Sequence, residues 1–257
     1  MIVCREPLRR LLRHALRFGV ALALLAPVPA SAAKQPDAKP EEAAETAETE
    51  ERPTIGYYAT TVGRSHFEIV IVQYWSKGAK FRSETVVAGH PIITLVRGDE
   101  YYCWDELTGE GYVVKRTPQA VAADAGRERP FGMELQELID EGGEQIRSET
   151  LNGVRVHVYR VTDGDGKRTL WVDADRLDLP VRLETYSRAT GRTGHLDWIN
   201  WIPGLVISDA FFEPPEGRHF VRFDSYEEYL QRLGRGPIPP APPLFHYLLH
   251  DRGGAAE

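Results

Sequence analysis

Several residues of the 257-residue chain are of types that do chemistry, and their spacing decides what kind. Beyond the first 32 residues, histidines stand at His66, His90, His157, His195, His219, His246 and His250. They are scattered, and no pair has the spacing of a zinc site with carboxylates on the same element. His195 and Asp197 share one face of a strand-like run, as a catalytic dyad would. No activated Ser or Cys motif such as G-x-S-x-G accompanies them, which favours a surface pair. Asp163-Gly164-Asp165-Gly166 begins like a calcium loop but lacks the later Glu ligand and lies between two strand-like runs, so a hairpin turn is favoured. Cys4 lies in the leading segment, and Cys103 alone follows it. One cysteine builds neither an intrachain disulfide framework nor a multi-cysteine metal site, and inside a Tyr-rich run it reads as a buried thiol. Phosphate loops, dinucleotide fingerprints and basic stripes are absent. The expectation is a protein that is not an enzyme, with no catalytic residues, no metal and no cofactor.

The remaining candidates are binding residues. Period-two alternation places Phe67, Ile69 and Ile71 on one face of their strand, Tyr102 and Trp104 on one face of theirs, and Trp198 with Ile202 on one face near the end. With Trp171, these are the predicted ligand-binding residues. Ordinary core packing is the alternative for each of them. The five tryptophans, Trp75, Trp104, Trp171, Trp198 and Trp201, suit an amphipathic pocket better than a plain core.

These residues must be positioned by sheet. From Ile55 onward, short runs rich in Val, Ile, Tyr, Phe, Trp and Thr alternate with turn residues, a β-meander pattern. The predicted strands are 56–62, 66–75, 79–87, 92–96, 100–105, 111–115, 145–151, 154–162, 167–173, 181–187 and 194–202. Two helical interruptions stand out. Gly132 to Glu141 carries Met133, Leu135, Leu138 and Ile139 as one apolar stripe, and SYEEYLQRL (225–233) follows a capping residue. The Pro-rich run GRGPIPPAPP after it does not continue as helix.

The ends are different in character. Arg5, Arg9, Arg10, Arg13 and Arg17, an uncharged run to Val28 and the small-residue site Ala30-Ser31-Ala32 read as a secretory signal over 1–32. Its apolar run is too short for a membrane span. The Arg9-Arg10 pair leaves both the general and the twin-arginine export routes open. Residues 33–54, dense in Glu, Ala and Pro, read as a disordered acidic leader. Removing the signal's five Arg and one Glu from 31 basic and 38 acidic residues leaves a net charge near −11, a surface that repels nucleic acid. No cysteine follows the cleavage site, so the expectation is a soluble, unlipidated periplasmic protein with no transmembrane anchor after processing.

The segments Lys80-Phe81-Arg82-Ser83-Glu84, Ile92 to Asp105 and Thr108-Gly109-Glu110-Gly111-Tyr112, in that order, resemble the first half of a sheet in the LolA/LolB/RseB-like lipoprotein-carrier superfamily. Asn152-Gly153-Val154 to Tyr159, Leu170-Trp171-Val172-Asp173, Leu179 to Glu184 and Asp209 to Pro215 resemble its second half. The resemblance covers roughly residues 67–217. It implies a curved antiparallel half-barrel of about ten or eleven strands with short covering helices over 55–217, and a helical and Pro-rich extension over 218–257. The implied function is binding of a lipid or a lipoprotein's acyl chains in the concave face. The alternative is an RseB-like sensor or interaction module whose acidic leader or Pro-rich tail meets an envelope protein.

Overall fold

In a computed structural model the chain is described over residues 55–64, 69–125, 127–176, 179–233 and 245–249, all within one compact unit. Phe67, His66, the signal, the acidic leader, and residues 234–244 and 250–257 of the extension lie outside the described residues.

Among the described residues the chain is mainly β. Strands β1 (Gly56–Arg64), β2 (Ile69–Lys77), β3 (Lys80–Val87), β4 (His90–Arg97), β5 (Glu100–Asp105) and β6 (Gly111–Lys115) are followed by two helices, α1 (Pro118–Ala125) and α2 (Glu134–Asp140). Strands β7 (Glu144–Leu151), β8 (Val154–Thr162), β9 (Gly166–Asp173), β10 (Pro180–Ser187), β11 (Arg192–Leu205) and β12 (Phe220–Phe223) then precede helix α3 (Tyr226–Leu233). All twelve strands join one sheet in the order β12-β6-β5-β4-β3-β2-β1-β11-β10-β9-β8-β7, which leaves β12 and β7 as edges, so the sheet does not close into a barrel. Neighbours are antiparallel except β12, which runs parallel to β6.

Turn chemistry sets the hairpins. Asn152 (φ 51°) and Gly153 (φ 85°) both adopt positive φ between β7 and β8, the geometry of a two-residue hairpin turn. At the Asp163-Gly164-Asp165-Gly166 turn, Asp163 Oδ1 accepts from the N–H groups of Asp165 (2.8 Å) and Gly166 (2.8 Å) and so closes the β8–β9 connection.

Register divides the side chains between two faces. On the inner face, one row across the sheet runs Tyr57, Ser76, Phe81, Val96, Tyr101 and Val114. The next runs Trp201, Ala59, Tyr74, Ser83, Thr94, Cys103 and Tyr112. Most of these residues are buried in the main core. On the same face of the second half, α2 lays Leu135 and Leu138 over Val161, Leu170 and Val172.

The outer face is treated differently along its length. Over β3 to β6 it is covered by residues 207–220: Phe220 meets Tyr102 (5.3 Å between ring centroids) and Trp104 (5.9 Å). The guanidinium of Arg82 lies over Trp104 (5.9 Å) and Phe211 (4.6 Å), and that of Arg218 lies over Trp104 (5.7 Å). Lys77 and Lys80 hold Asp209 at 2.9 and 3.1 Å and fasten the start of this cover. Toward the Arg64 end of β1 and the Ile69 end of β2 the same face is open, with Ile69 and Ile71 exposed.

One irregularity redirects side chains. Thr60 pairs with Asn200 while Thr61 pairs with Trp198, so Ile199 is an extra residue in β11. Such a bulge exchanges the faces of everything beyond it. Trp198 and Trp201 therefore both point inward, whereas Ile202, opposite Tyr58, points outward. Uninterrupted alternation puts Trp198 and Ile202 on one face; the bulge separates them.

Candidate functional site

The most developed apolar surface is the inner face between β1 and β6. Its floor is Tyr57, Tyr74, Phe81, Tyr101 and Tyr112, with the small side chains of Ala59, Ser83, Thr94 and Cys103 between them. No second sheet covers it among the described residues. The roof consists of short pieces: the loop carrying Phe131, helix α3 with Tyr229, and residues Phe245–Leu249, whose middle forms a 3-10 turn, His246–Leu248.

Aromatic rings join roof to floor. Phe131 stacks on Tyr74 (5.1 Å) and on Trp201 (5.6 Å). Phe245 meets Phe81 edge-on at 5.0 Å and Tyr74 at 5.8 Å, and Tyr229 lies 5.0 Å from Tyr112. Gly132 has φ +72°, and a Cβ there would fall 2.4 Å from the Trp201 ring, so the residue after Phe131 must be glycine for the indole to lie beneath it. The buried guanidinium of Arg129 lies over the rings of Tyr57 (5.2 Å) and Trp201 (5.4 Å) and donates to the Gly132 carbonyl (2.9 Å). That cation–π contact fixes the loop against the floor.

The electrostatics of the floor are those of an apolar medium. Burial pushes the Tyr74 phenol up to about 12 and raises Tyr101 and Tyr112 well above the ordinary value, so these hydroxyls stay neutral at physiological pH. Ser76 and Ser83 carry buried hydroxyls with no hydrogen-bond partner among the described residues.

Among the described residues, hydrogen bonds tie Phe245–Leu249 to β5, to the β6–α1 junction and to the Phe131 loop. The N–H of Phe245 donates to Tyr101 Oη (3.4 Å), the Leu248 carbonyl accepts from Arg116 Nε, and the Leu249 carbonyl accepts from the Thr117 N–H (2.9 Å). Tyr247 Oη donates to the Pro130 carbonyl (3.1 Å). Phe245, Leu248 and Leu249 are buried. Burial of these three contributes roughly 5–9 kcal/mol, against about 5–10 kcal/mol for ordering the segment, and the hydrogen bonds add to the favourable side.

The predicted ligand-binding residues do not gather at this floor. Trp198 is on the inner face and buried in its core. Ile69, Ile71, Tyr102, Trp104, Trp171 and Ile202 all point to the outer face. There they fall into separate places: Tyr102 and Trp104 under residues 207–220, Trp171 beside Val156 and Val158, and Ile69, Ile71 and Ile202 toward solvent. Phe67 lies outside the described residues. Trp171 Nε1 donates to Glu149 Oε1 at 2.6 Å. His195 faces Glu184 (3.3 Å) across the β10–β11 ladder, while Asp197 receives Arg182 Nε at 2.6 Å, so the two same-face residues are paired with different partners. Among the described residues no group of three or more His, Cys, Asp or Glu could hold a metal ion, and no helix is long and apolar enough to cross a membrane.

A polar cluster closes the end of β5. The buried carboxylate of Asp105 accepts from His90 Nδ1 (2.7 Å), the Leu107 N–H (2.8 Å) and Thr108 Oγ1 (3.0 Å). Burial alone would raise this carboxyl, but the hydrogen bonds outweigh it and hold it below the usual carboxylate value. A depressed folded value means that the native state binds fewer protons than the unfolded chain. The stabilisation is therefore complete above about pH 4 and is lost as pH falls through the depressed value. Asp105→Asn is expected to lose about 1–3 kcal/mol at neutral pH and to show a shallower fall in urea midpoint than the parent as pH drops below about 4. Identical pH slopes for the two proteins would contradict this role.

Comparison with known proteins finds similar solved structures but no matching family. No family profile and no curated protein match it. An uncharacterized conserved protein from Thermus thermophilus is similar at 14% identity over 65% of this chain and 90% of that one, with a TM-score of 0.48. MucB in its complex with MucA from Pseudomonas aeruginosa is similar at 13% identity over 66% of this chain and 59% of that chain, with a TM-score of 0.42. An outer membrane lipoprotein-sorting protein domain from Vibrio parahaemolyticus is similar at 13% identity over 63% and 91% of the two chains, with a TM-score of 0.31.

Proposed function

We propose that this protein is an exported binding module that holds the acyl chain of a lipid or lipoprotein against the inner face of its sheet. The observation that carries the reading is the roof: a wide aromatic floor is covered by separately tethered short segments, each contributing a few apolar side chains, instead of by a second sheet. Surface covered in this way becomes available to an apolar guest when one segment moves. An acyl chain with roughly 12 buried methylenes gains about 10 kcal/mol before association costs, and no catalytic group is needed. The secretory signal read from residues 1–32 puts such a module in the periplasm, where diacyl lipids and acylated proteins are its available guests.

The test is to express the chain with its own signal, purify the mature protein from periplasm without detergent, and identify solvent-extracted lipid by mass spectrometry. The parent is expected to carry lipid near stoichiometry. Trp201→Ala, on the inner face, is expected to carry about tenfold less, equivalent to about 1.4 kcal/mol, and Trp171→Ala, on the outer face, the same amount as the parent. A lipid-free parent would sink the proposal and leave an interaction module working through the leader or the tail.

A further inference from the structure

We infer that the free edge of the sheet, strand β7, is a pairing site for a second copy of this chain: two molecules join antiparallel about a two-fold axis at Ser148, and their sheets become one. The inference stands apart from the acyl-binding reading. Among the described residues β7 has β8 on one side and no strand on the other. Six of its eight residues, Glu144 to Ser148 and Thr150, are exposed. The strand contains neither Pro nor Lys, the residues that commonly blunt an edge. Its one irregularity is the bulge at Ile146, ahead of the axis. The opposite edge differs, because β12 is four residues long and α3 packs against it.

The charges on β7 choose the occupant and the register. A two-fold axis that joins two antiparallel edges keeps each side chain on its own face of the sheet and sets residues equally far from the axis opposite each other. Arg147 and Glu149 share the outer face, where they pair with Val158 and Val156 of β8. With the axis at Ser148, Arg147 lies opposite the second copy's Glu149, and Glu149 opposite the second copy's Arg147. Moving the axis to Arg147 or to Glu149 sets like charges opposite each other, which is unfavourable. Both side chains are already held for the contact. Arg147 Nε donates to Glu149 Oε2 (2.7 Å), its guanidinium lies over Trp171 (5.9 Å), and Trp171 Nε1 donates to Glu149 Oε1 (2.6 Å). They remain 42% and 34% exposed, so each can take a second partner with little further loss of side-chain freedom. On the inner face the axis brings together two Ser148 hydroxyls, each 2.8 Å from His157 Nδ1 of its own chain. One strand pair is small beside a standard protein interface, so the dimer is weak, with a Kd of roughly 10–100 µM.

The experiment is sedimentation velocity on the full mature protein from low to high micromolar concentration. The parent is expected to pass from monomer to dimer. Arg147→Glu and Glu149→Arg, each of which sets like charges opposite across the axis, are expected to weaken the dimer at least about tenfold. The double reversal Arg147→Glu/Glu149→Arg restores opposite charges and is expected to return the affinity to within about threefold of the parent. A parent that stays monomeric throughout would overturn the inference. So would a dimer indifferent to the single reversals, which would place its interface elsewhere, or a double reversal no better than the single ones. Should the variants not fold, hydrogen exchange on the parent decides. The β7 amides that point away from β8 are expected to gain at least about tenfold protection between dilute and concentrated protein, while those bonded to β8 stay unchanged. Outward amides that exchange equally fast at both concentrations would overturn the inference.

Discussion

Arg116→Met is expected to destabilise the folded protein by about 3–5 kcal/mol, the cost of breaking a buried ion pair from one side. The side chain of Arg116 is 1% exposed and that of Asp124 is 6% exposed, with Nη2 to Oδ2 at 2.7 Å. The same guanidinium donates to the carbonyls of Gly98 (2.6 Å), Ala120 (3.3 Å) and Leu248. It therefore ties the β4–β5 turn, helix α1 and the roof segment to the end of β6. A lysine, with one compact ammonium, does not span four acceptors, so Arg116→Lys should recover little. For a chain of this size the loss corresponds to a fall in Tm of roughly 6–20 °C, at roughly 2–4 °C per kcal/mol. The double variant Arg116→Met/Asp124→Leu is expected to regain more than half of it, because the buried carboxylate, left with only the longer pairing to Arg127 (3.6 Å), is removed along with its partner. A single variant within about 1 kcal/mol of the parent would show that the hub is dispensable.

The second large effect is chemical. Burial pushes the Cys103 thiol up to about 12 from 9.0, and its side chain is inaccessible to solvent. Only the thiolate attacks a disulfide reagent. A rise of roughly three pH units cuts the thiolate fraction at about pH 8 by about a thousandfold, before any need for opening is counted. Titration with Ellman's reagent is expected to show essentially no reaction in the native protein and one thiol per mature chain in guanidinium. Rapid native reaction would mean that the β4–β6 region of the inner face opens readily. Because Cys103 sits in the middle strip of the floor, its slow reaction rate is also a clock for local opening.

Much of the sheet is legible from residue pattern, because a strand with one clean face announces itself. β3 alternates Phe81, Ser83 and Thr85 with Arg82 and Glu84, and Asn152-Gly153 marks the β7–β8 hairpin without ambiguity. The predicted strands and the two predicted helices all recur with small shifts at their ends. β12 escapes the pattern because it is four residues long and docks parallel to β6, away from any hairpin partner. α1 escapes it because PQAVAADA carries no apolar stripe.

The floor is harder to read. In Ile69-Val70-Ile71-Val72 both parities are apolar, so the strand does not say which side is inner. The information sits one strand away: the Lys77-Gly78 turn sets Ser76 opposite Phe81, which puts Tyr74 rather than Ile71 on the side of Phe81. Ile199 is a different case, since nothing in Trp198-Ile199-Asn200-Trp201 distinguishes a bulge from a continuous strand, and only pairing with β1 exposes it. Of the roof, helix α3 is legible in SYEEYLQRL, whereas Phe131 and Phe245 lie outside helix and strand and so beyond periodicity.

The position of β1 has a kinetic consequence. The first strand of the described fold ends up mid-sheet, between β2 and β11, so β1–β6 and β7–β11 are two ladders of sequence-local pairings joined by a single seam. That seam links Tyr57 to Pro203 and Val62 to Asp197. Closing a loop of that length is entropically slow. Each ladder can therefore zip by itself soon after the chain emerges, while β1 waits with an unsatisfied edge until β11 has arrived. During that interval the chain exposes an open hydrogen-bonding strand to its neighbours, the usual starting point for aggregation. Folding yield should consequently fall steeply with chain concentration, and a cleavage between β10 and β11 should be far more damaging than one between β6 and β7.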